Sequence, residues 1–237
     1  MSPRIAIVLL AAGSGRRVGA EVNKVLLPLD GVPVLAHSLR TALTLENVHR
    51  IVVVVRPEDR DDVTAALAPY LGASPGQASQ PEVWLVDGGA ERHDSEARAL
   101  HALRPGIQAG EVAVVAIHDA ARPLASADLF RSVIGVAAEH GAAVPAVGTG
   151  RLSTRDGALA PANLVAVQTP QAFDAPALLA AYDAAAEEGF GGTDTAACLE
   201  RYSTIAVRAV DGETTNLKVT FAEDLALAGQ LLTPASG

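Results

Sequence analysis

Ile5-Ala6-Ile7-Val8-Leu9-Leu10-Ala11-Ala12-Gly13-Ser14-Gly15-Arg16-Arg17-Val18-Gly19 is the stretch on which the fold turns. Six apolar residues end in small side chains and glycines, and Arg16, Arg17 and Lys24 follow. An apolar run this short, bounded by glycine, reads as a buried strand. Gly13 and Gly15 lack a Cβ and tolerate positive φ, so the backbone after that strand is free to turn its N–H groups toward an anion. The three cations stand where those groups point. The combination is suited to the phosphates of a nucleoside triphosphate.

Other glycine loops fit less well. A P-loop requires Gly-x-x-x-x-Gly-Lys-Ser/Thr, and no Lys-Ser or Lys-Thr follows these glycines. A dinucleotide fingerprint requires Gly-x-Gly-x-x-Gly; its third slot is Val18, and Gly19 arrives one residue late. The plain alternative is a glycine turn with solvated charges.

Composition narrows the class. A chain of 237 residues with 49% hydrophobic content can bury one large α/β core. Its net charge of −9 opposes a broad nucleic-acid footprint, which needs a basic face. A local basic cluster can still receive a phosphorylated ligand. The single cysteine, Cys198, excludes an intrachain disulfide. The six histidines share no ligand spacing, so no zinc site is expected. With no leader-like or bilayer-length apolar run, the expectation is a cytoplasmic protein without membrane contact.

Valine- and isoleucine-rich runs alternate with amphipathic stretches. Strands are expected at Ile5–Leu10, Ile51–Val55, Val83–Val86, Val112–Ile117 and Ala142–Pro145, with helices at Val34–Leu45, Arg60–Leu71, Ser95–Leu103 and Leu129–His140. The alternation predicts an α/β fold, a Rossmann-like, doubly wound, mostly parallel sheet. In such sheets ligands bind beyond the carboxyl ends of the strands. The Gly13 loop, Asp87-Gly88-Gly89 and His118-Asp119 each follow a strand, so they should converge. Residues 147–168 are rich in Gly and Pro and read as an arm projecting from a single domain of residues 1–237. Beyond it, Asp174 and Thr193 are expected to cap helices, and Ile205–Val210 and Leu217–Val219 read as strands. Thr220-Phe221-Ala222-Glu223 reads as a capping box opening a last helix, Ala222–Leu232.

Three further motifs carry chemistry. In Asp87-Gly88-Gly89-Ala90-Glu91-Arg92-His93-Asp94-Ser95 the paired glycines admit a flat ring, and Ser95 serves either as a helix cap or as a partner for a base edge. In His118-Asp119-Ala120-Ala121-Arg122-Pro123 the aspartate is placed to hold Mg²⁺ with phosphate oxygens, and the two alanines leave room for a ribose. The alternative for Asp119 is a cap. Asn216-Leu217-Lys218-Val219-Thr220 puts a lysine where it can close over the same crevice.

Taken in order, these motifs resemble the 2-C-methyl-D-erythritol 4-phosphate cytidylyltransferase family, together with Gly31-Val32-Pro33-Val34, Thr169-Pro170-Gln171 and Thr193-Asp194. The resemblance implies transfer of CMP from CTP to that sugar-alcohol phosphate, with Mg²⁺ as cofactor. It implies that Arg17, Lys24 and Lys218 carry the catalytic charge. Ala11, Ala12, Gly13, Ser14, Gly15, Arg16, Gly89, Ser95 and Ala120 would contact the nucleotide, and Asp119 the metal. Arg122, Thr169 and Thr193 would belong to the substrate side. The arm would pair two copies into a homodimer. Departures concentrate in that arm: Gly148-Thr149-Gly150-Arg151 and Ala160-Pro161-Ala162-Asn163 stand where members commonly carry Asp-Thr-x-Lys and an arginine. They keep open another polyol phosphate, such as ribitol or glycerol phosphate, as acceptor. A non-catalytic nucleotide-binding paralogue is the remaining alternative.

Overall fold

In the computed structural model, which describes residues 4–13, 23–72, 80–150, 152–161, 163–192 and 194–232, the opening apolar run forms the central strand β1 (Ile5–Leu10). A short ribbon follows, β2 (Pro28–Leu29) with β3 (Val32–Pro33). Then come α1 (Val34–Leu43), β4 (Val48–Val55), α2 (Arg60–Leu67), β5 (Glu82–Asp87), α3 (Arg92–Gln108), β6 (Val114–Asp119), α4 (Ala127–His140) and β7 (Ala142–Gly148). The remainder is β8 (Val165–Val167), β9 (Gln171–Asp174), α5 (Ala175–Glu188), α6 (Thr195–Tyr202), β10 (Arg208–Asp211) and α7 (Ala222–Leu232).

The main sheet runs β10-β7-β9-β6-β1-β4-β5, with β8 paired to β7. β1 is parallel to both β4 and β6; β9 is antiparallel between β6 and β7. Alternation along β1 divides the core. Ile5, Ile7 and Leu9 pack with α1, α2 and α4 on one face, while Ala6 and Val8 pack with α3, α5 and α6 on the other. Both faces are covered, as the doubly wound reading requires. The chain leaves β1 toward β4 on one side and returns to β6 on the other. A crevice therefore opens beyond Leu10 and Asp119, which are register partners.

Several expected boundaries move, for local reasons. β6 extends through His118 and Asp119 because both stay in register with β1, at Leu9 and Leu10. α2 ends at Leu67, and its last turn, Ala68–Tyr70, tightens to 3-10 geometry around Pro69, which has no N–H to give. α3 begins three residues before Ser95, because Glu91 and Asp94 form a reciprocal capping box. Thr193 lies outside the described residues; the cap of α6 is Asp194, whose carboxylate accepts from the Ala196 amide. Leu217–Val219 is not a strand; the Val219 N–H reaches the Ala121 carbonyl instead. The late strand is Arg208–Asp211, after Ile205 and Val207 have packed into the core. α7 is capped by Asp224 rather than Glu223: its carboxylate accepts from the Thr220 and Phe221 amides. The arm is a hairpin excursion that leaves β7 and returns through β8, with a bridge between Ser153 and Leu159. Among the described residues no helix is long and apolar enough to cross a membrane.

His118, fully buried against Phe130, fastens the end of β6. Its Nε2 donates to the Arg122 carbonyl at 3.1 Å, and its Nδ1 accepts from the Thr169 hydroxyl at 3.1 Å. That hydroxyl in turn accepts from the Asp119 amide at 2.9 Å. The ring must be neutral to play both roles. Burial pushes its pKa down to about 4, although the Asp119 charge opposes this. The unfolded chain, with a histidine pKa near 6.5, therefore binds more protons between these values, so stability falls as pH drops from about 6.5 to 4. The shift corresponds to about 3 kcal/mol. Urea unfolding across this window should show that loss, and His118→Gln should shrink it; an equal pH dependence in the two proteins would refute the assignment.

Candidate active site

Backbone contacts bring three loops together at the crevice. The Ala11 amide donates to the Val54 carbonyl at 2.8 Å, Gly88 N to the Val55 carbonyl at 2.7 Å, and Ala120 N to the Leu10 carbonyl at 3.1 Å. They surround a cleft of about 630 Å³, bordered by Ala12, Gly13, Lys24, Gly88, Gly89, Arg92, Ser95, Asp119, Ala121 and Lys218. Another cavity, about 580 Å³ between α3 and α5, is floored by Leu100, Leu179 and Ala186 and lies away from Asp119.

The chain that enters the glycine segment is held at Ala11 by Asn23. Its Nδ2 donates to the Ala11 carbonyl at 3.1 Å and to Asp59 at 2.7 Å, while its Oδ1 accepts from the Val25 amide. Arg56 grips the same Asp59 through Nε at 2.6 Å and Nη2 at 2.7 Å. This clasp fixes the short 3-10 turn Lys24–Leu26 and so sets Lys24 at the cleft. Ser14, Gly15, Arg16 and Arg17 lie outside the described residues.

The Gly88-Gly89 turn is glycine for steric reasons. A Cβ on Gly88 would stand 2.5 Å from the Ala12 Cβ, and one on Gly89 2.1 Å from the Asp94 Cβ. Ser95 is not the helix cap; its Oγ accepts from the Gly89 amide at 3.1 Å and braces the turn. Arg98 holds the other side, donating to the Gly88 carbonyl at 2.8 Å.

Asp119 is the electrostatic centre. Its carboxylate is 6% exposed as a residue and receives Arg92 Nη1, Lys218 Nζ at 2.7 Å and, at 3.9 Å, Arg122 Nε. Burial alone would raise this carboxyl, but the Arg92 and Lys218 charges outweigh it and hold it well below the usual carboxylate range. It is thus an anionic oxygen donor at any physiological pH. Lys218 is delivered by a polar knot. Asn216 Nδ2 donates to the Thr169 carbonyl at 2.9 Å, and Gln168 Nε2 donates to the Glu213 carbonyl at 2.8 Å.

Not every expected residue faces the cleft. Ala11 and Ala120 are buried and do not border the cleft; Ala12 does, as expected, and so does the edge of the otherwise buried Ala121. Thr169 spends its hydroxyl on the Asp119 amide and His118, so its role in this geometry is to hold β6. Arg122 donates through Nη1 to the Asn216 carbonyl at 2.7 Å, while its buried Nε makes no hydrogen bond. Sequence reasoning quoted Arg92 without a role and missed Glu96, Asn23 and Asp59. The Arg92–Glu96 spacing of four on a helix was the available signal.

The arrangement tests the metal expectation. Asp119 supplies one hard oxygen ligand, and among the described residues no group of three or more His, Cys, Asp or Glu side chains stands together. Such a site fits magnesium held by one carboxylate, with phosphate oxygens and water completing the shell. The tight glycine turn predicts that Gly88→Ala, by driving the turn off Ala12, weakens CTP binding about tenfold or more in calorimetry. Unchanged affinity would remove this turn from the nucleotide surface.

Comparison with known proteins agrees with the geometry. The family model for 2-C-methyl-D-erythritol 4-phosphate cytidylyltransferase matches residues 5–234. A curated protein of that name from Synechococcus elongatus is 38% identical over 233 residues, covering 95% of each chain. Another from Symbiobacterium thermophilum is 40% identical, covering 96% of this chain and 92% of its own. Among solved structures, the 4-diphosphocytidyl-2C-methyl-D-erythritol synthase from Anaerococcus prevotii superposes with a TM-score of 0.80 at 26% identity, over 98% of this chain and 96% of that one. The 2-C-methyl-D-erythritol 4-phosphate cytidylyltransferase from Thermus thermophilus gives a TM-score of 0.70 at 28% identity, over 94% and 97%. With its fold, its cleft and nearly its whole length in agreement, this chain belongs to the 2-C-methyl-D-erythritol 4-phosphate cytidylyltransferase family.

Proposed function

We propose that this chain transfers CMP from CTP to 2-C-methyl-D-erythritol 4-phosphate and releases pyrophosphate, a step of isoprenoid precursor synthesis. One observation carries the reading: Lys24, Arg92 and Lys218 converge with Asp119 and the Gly88-Gly89 turn in one cleft. Relatives that share the name over nearly the full length support it. Neither another polyol phosphate nor a non-catalytic role draws support from them.

The chemistry asks little of proton transfer. A phosphate monoester, with a second pKa near 6, is already an anion at neutral pH. One of its oxygens bonds to the α-phosphorus, the bond from that phosphorus to the bridging oxygen breaks, and pyrophosphate leaves with the electron pair. The buried His118 fits this, since both ring nitrogens are committed and neither faces a reacting atom. Catalysis reduces to positioning and charge neutralisation. Lys24 and Lys218, with Arg17 from the glycine segment, offset charge on the phosphates. Gly13 to Arg16 would supply main-chain and side-chain donors to the phosphates. Gly88, Gly89 and Ser95 bound the base, and Ala121 takes the place beside the ribose. Thr193, and Arg122 if it leaves the Asn216 carbonyl, would contact the acceptor. Asp119 would hold magnesium, which when bound neutralises charge on phosphate oxygens.

The arm supports a second copy. Leu152, Leu159, Leu164, Val165 and Val167 are all exposed on it, Leu159 by 71%. An apolar concentration of this kind marks an interaction surface, and a homodimer built on these hairpins covers it.

Two experiments test these readings. Pyrophosphate release should require CTP and proceed with 2-C-methyl-D-erythritol 4-phosphate ahead of ribitol or glycerol phosphate; Lys24→Ala should lower turnover about 10²–10³-fold. Another polyol phosphate turning over while the first is inert would overturn the acceptor, and full turnover of Lys24→Ala would overturn the role of that lysine. Sedimentation should give a two-chain mass that falls to one chain in the Leu159→Asp, Val165→Asp double variant; a single-chain mass for the unaltered protein would remove the dimer.

A further inference from the structure

Glu96 is an unusual place for a charge. Its side chain is 1% exposed, one turn into α3 behind the cleft. Two hydroxyls and one guanidinium converge on its carboxylate, each from a different helix: Thr195 Oγ1 donates at 2.9 Å from α6, the Tyr182 hydroxyl donates from α5, and Arg92 forms an ion pair through Nε at 2.8 Å from α3. Tyr182 is itself buried and stacked on His93 at 4.5 Å. The carboxylate therefore has no freedom to move. Burying such a group is costly, and an apolar side chain of similar volume commonly serves stability as well or better. A reason besides stability is needed.

Arg92 supplies it. Its guanidinium is gripped at both ends, Nε by Glu96 and Nη1 by Asp119, and its side chain remains 28% exposed at the cleft wall. The two anchors differ in kind. Glu96 is sealed among three helices, whereas Asp119 stands at the cleft with Lys218 beside it. Any ligand or cation that engages Asp119 competes with Arg92 for its oxygens. A guanidinium held only by Asp119 would then be released from its place.

We propose that Glu96 is a positioning residue for the transfer step, acting through Arg92. It retains the Nε edge while the Nη edge passes from Asp119 to phosphate oxygens of the bound ligand. Arg92 thereby stays in the cleft, oriented, throughout the reaction. The inference rests on the nucleotidyl transfer proposed above, but its structural half stands on the Arg92–Glu96 contact itself.

The test combines kinetics with a resonance. Glu96→Gln keeps the shape and removes the charge; kcat should fall tenfold or more while KM for CTP stays within threefold. Arg92→Lys should cost a similar factor, and adding Glu96→Gln to it should cost less than twofold more. Tyr182→Phe loosens Glu96 without touching the cleft and should lower kcat by a smaller factor, which keeps the idea testable if Glu96→Gln fails to fold. The Arg92 Nε–H signal in ¹⁵N NMR, assigned by its loss in Arg92→Lys, should stay a single sharp resonance with and without CTP, and should shift or broaden when the adjacent charge is removed in Glu96→Gln. A folded Glu96→Gln with unaltered kcat, full additivity with Arg92→Lys, or an Nε–H signal indifferent to Glu96 would each overturn the proposal. Absence of turnover in the unaltered protein would instead refute the transferase reading, and the resonance would still decide the positioning.

Discussion

A carboxylate withdrawn from water is expensive unless opposite charge is built around it, and Asp119 is where this chain makes that commitment. Arg92 comes from the helix after β5, Lys218 from a loop near the other end of the sequence, and Arg122 from the turn that follows β6. Each is itself tied down: Arg92 to Glu96, Arg122 to the Asn216 carbonyl, and the Lys218 loop to Gln168 and Thr169 through Asn216. In a low-dielectric crevice these attractions are far stronger than on an open surface. The same cations that stabilise Asp119 are those a polyphosphate would meet. Fold and chemistry therefore share one set of contacts, centred on the switch point of the sheet.

Much of this was legible beforehand because it depends on short-range rules. The β1 run could be delimited to the residue, since six apolar side chains ending in glycine admit one reading. The convergence of the three loops followed from doubly wound topology alone. What escaped were consequences of tertiary pairing. Leu217–Val219 has a strand's composition, yet the chain there turns to place Lys218 on Asp119, and only the Val219 amide finds a sheet-side carbonyl. α3 was expected to end at Leu103, but Ile107 is buried and Arg104 is paired with Asp183 of α5, so packing carries the helix past Pro105. Ala120 and Ala121 are indistinguishable as letters, and the turn that follows β6 decides which of them lines the opening. Thr169 looked like a substrate group because nothing in the sequence reveals that its hydroxyl is spent on a neighbouring strand.

The charge distribution adds a separate point. The chain carries a net −9, while its cleft sets Lys24, Arg56, Arg92 and Lys218 against Glu58, Glu91 and Asp119, a small positive excess. At long range the protein repels an anionic ligand; within roughly a Debye length, about 8 Å at physiological salt, the cleft attracts it. Selectivity for phosphates is thus a property of the crevice, not of the molecule's surface at large.

The antiparallel strand β9 sits between β6 and β7 although it lies more than fifty residues beyond β6 in the chain. Until Gln171–Asp174 emerges from the ribosome, β6 keeps an open edge, and until Lys218 emerges Asp119 lacks one of its counter-charges. At translation rates of about 5–20 residues per second, Lys218 follows Asp119 by about 5–20 s. For roughly the first half of that time a nascent chain would hold a half-built sheet able to pair with the wrong neighbour. The charge balance of the cleft is therefore one of the late products of synthesis, completed only when Lys218 reaches Asp119.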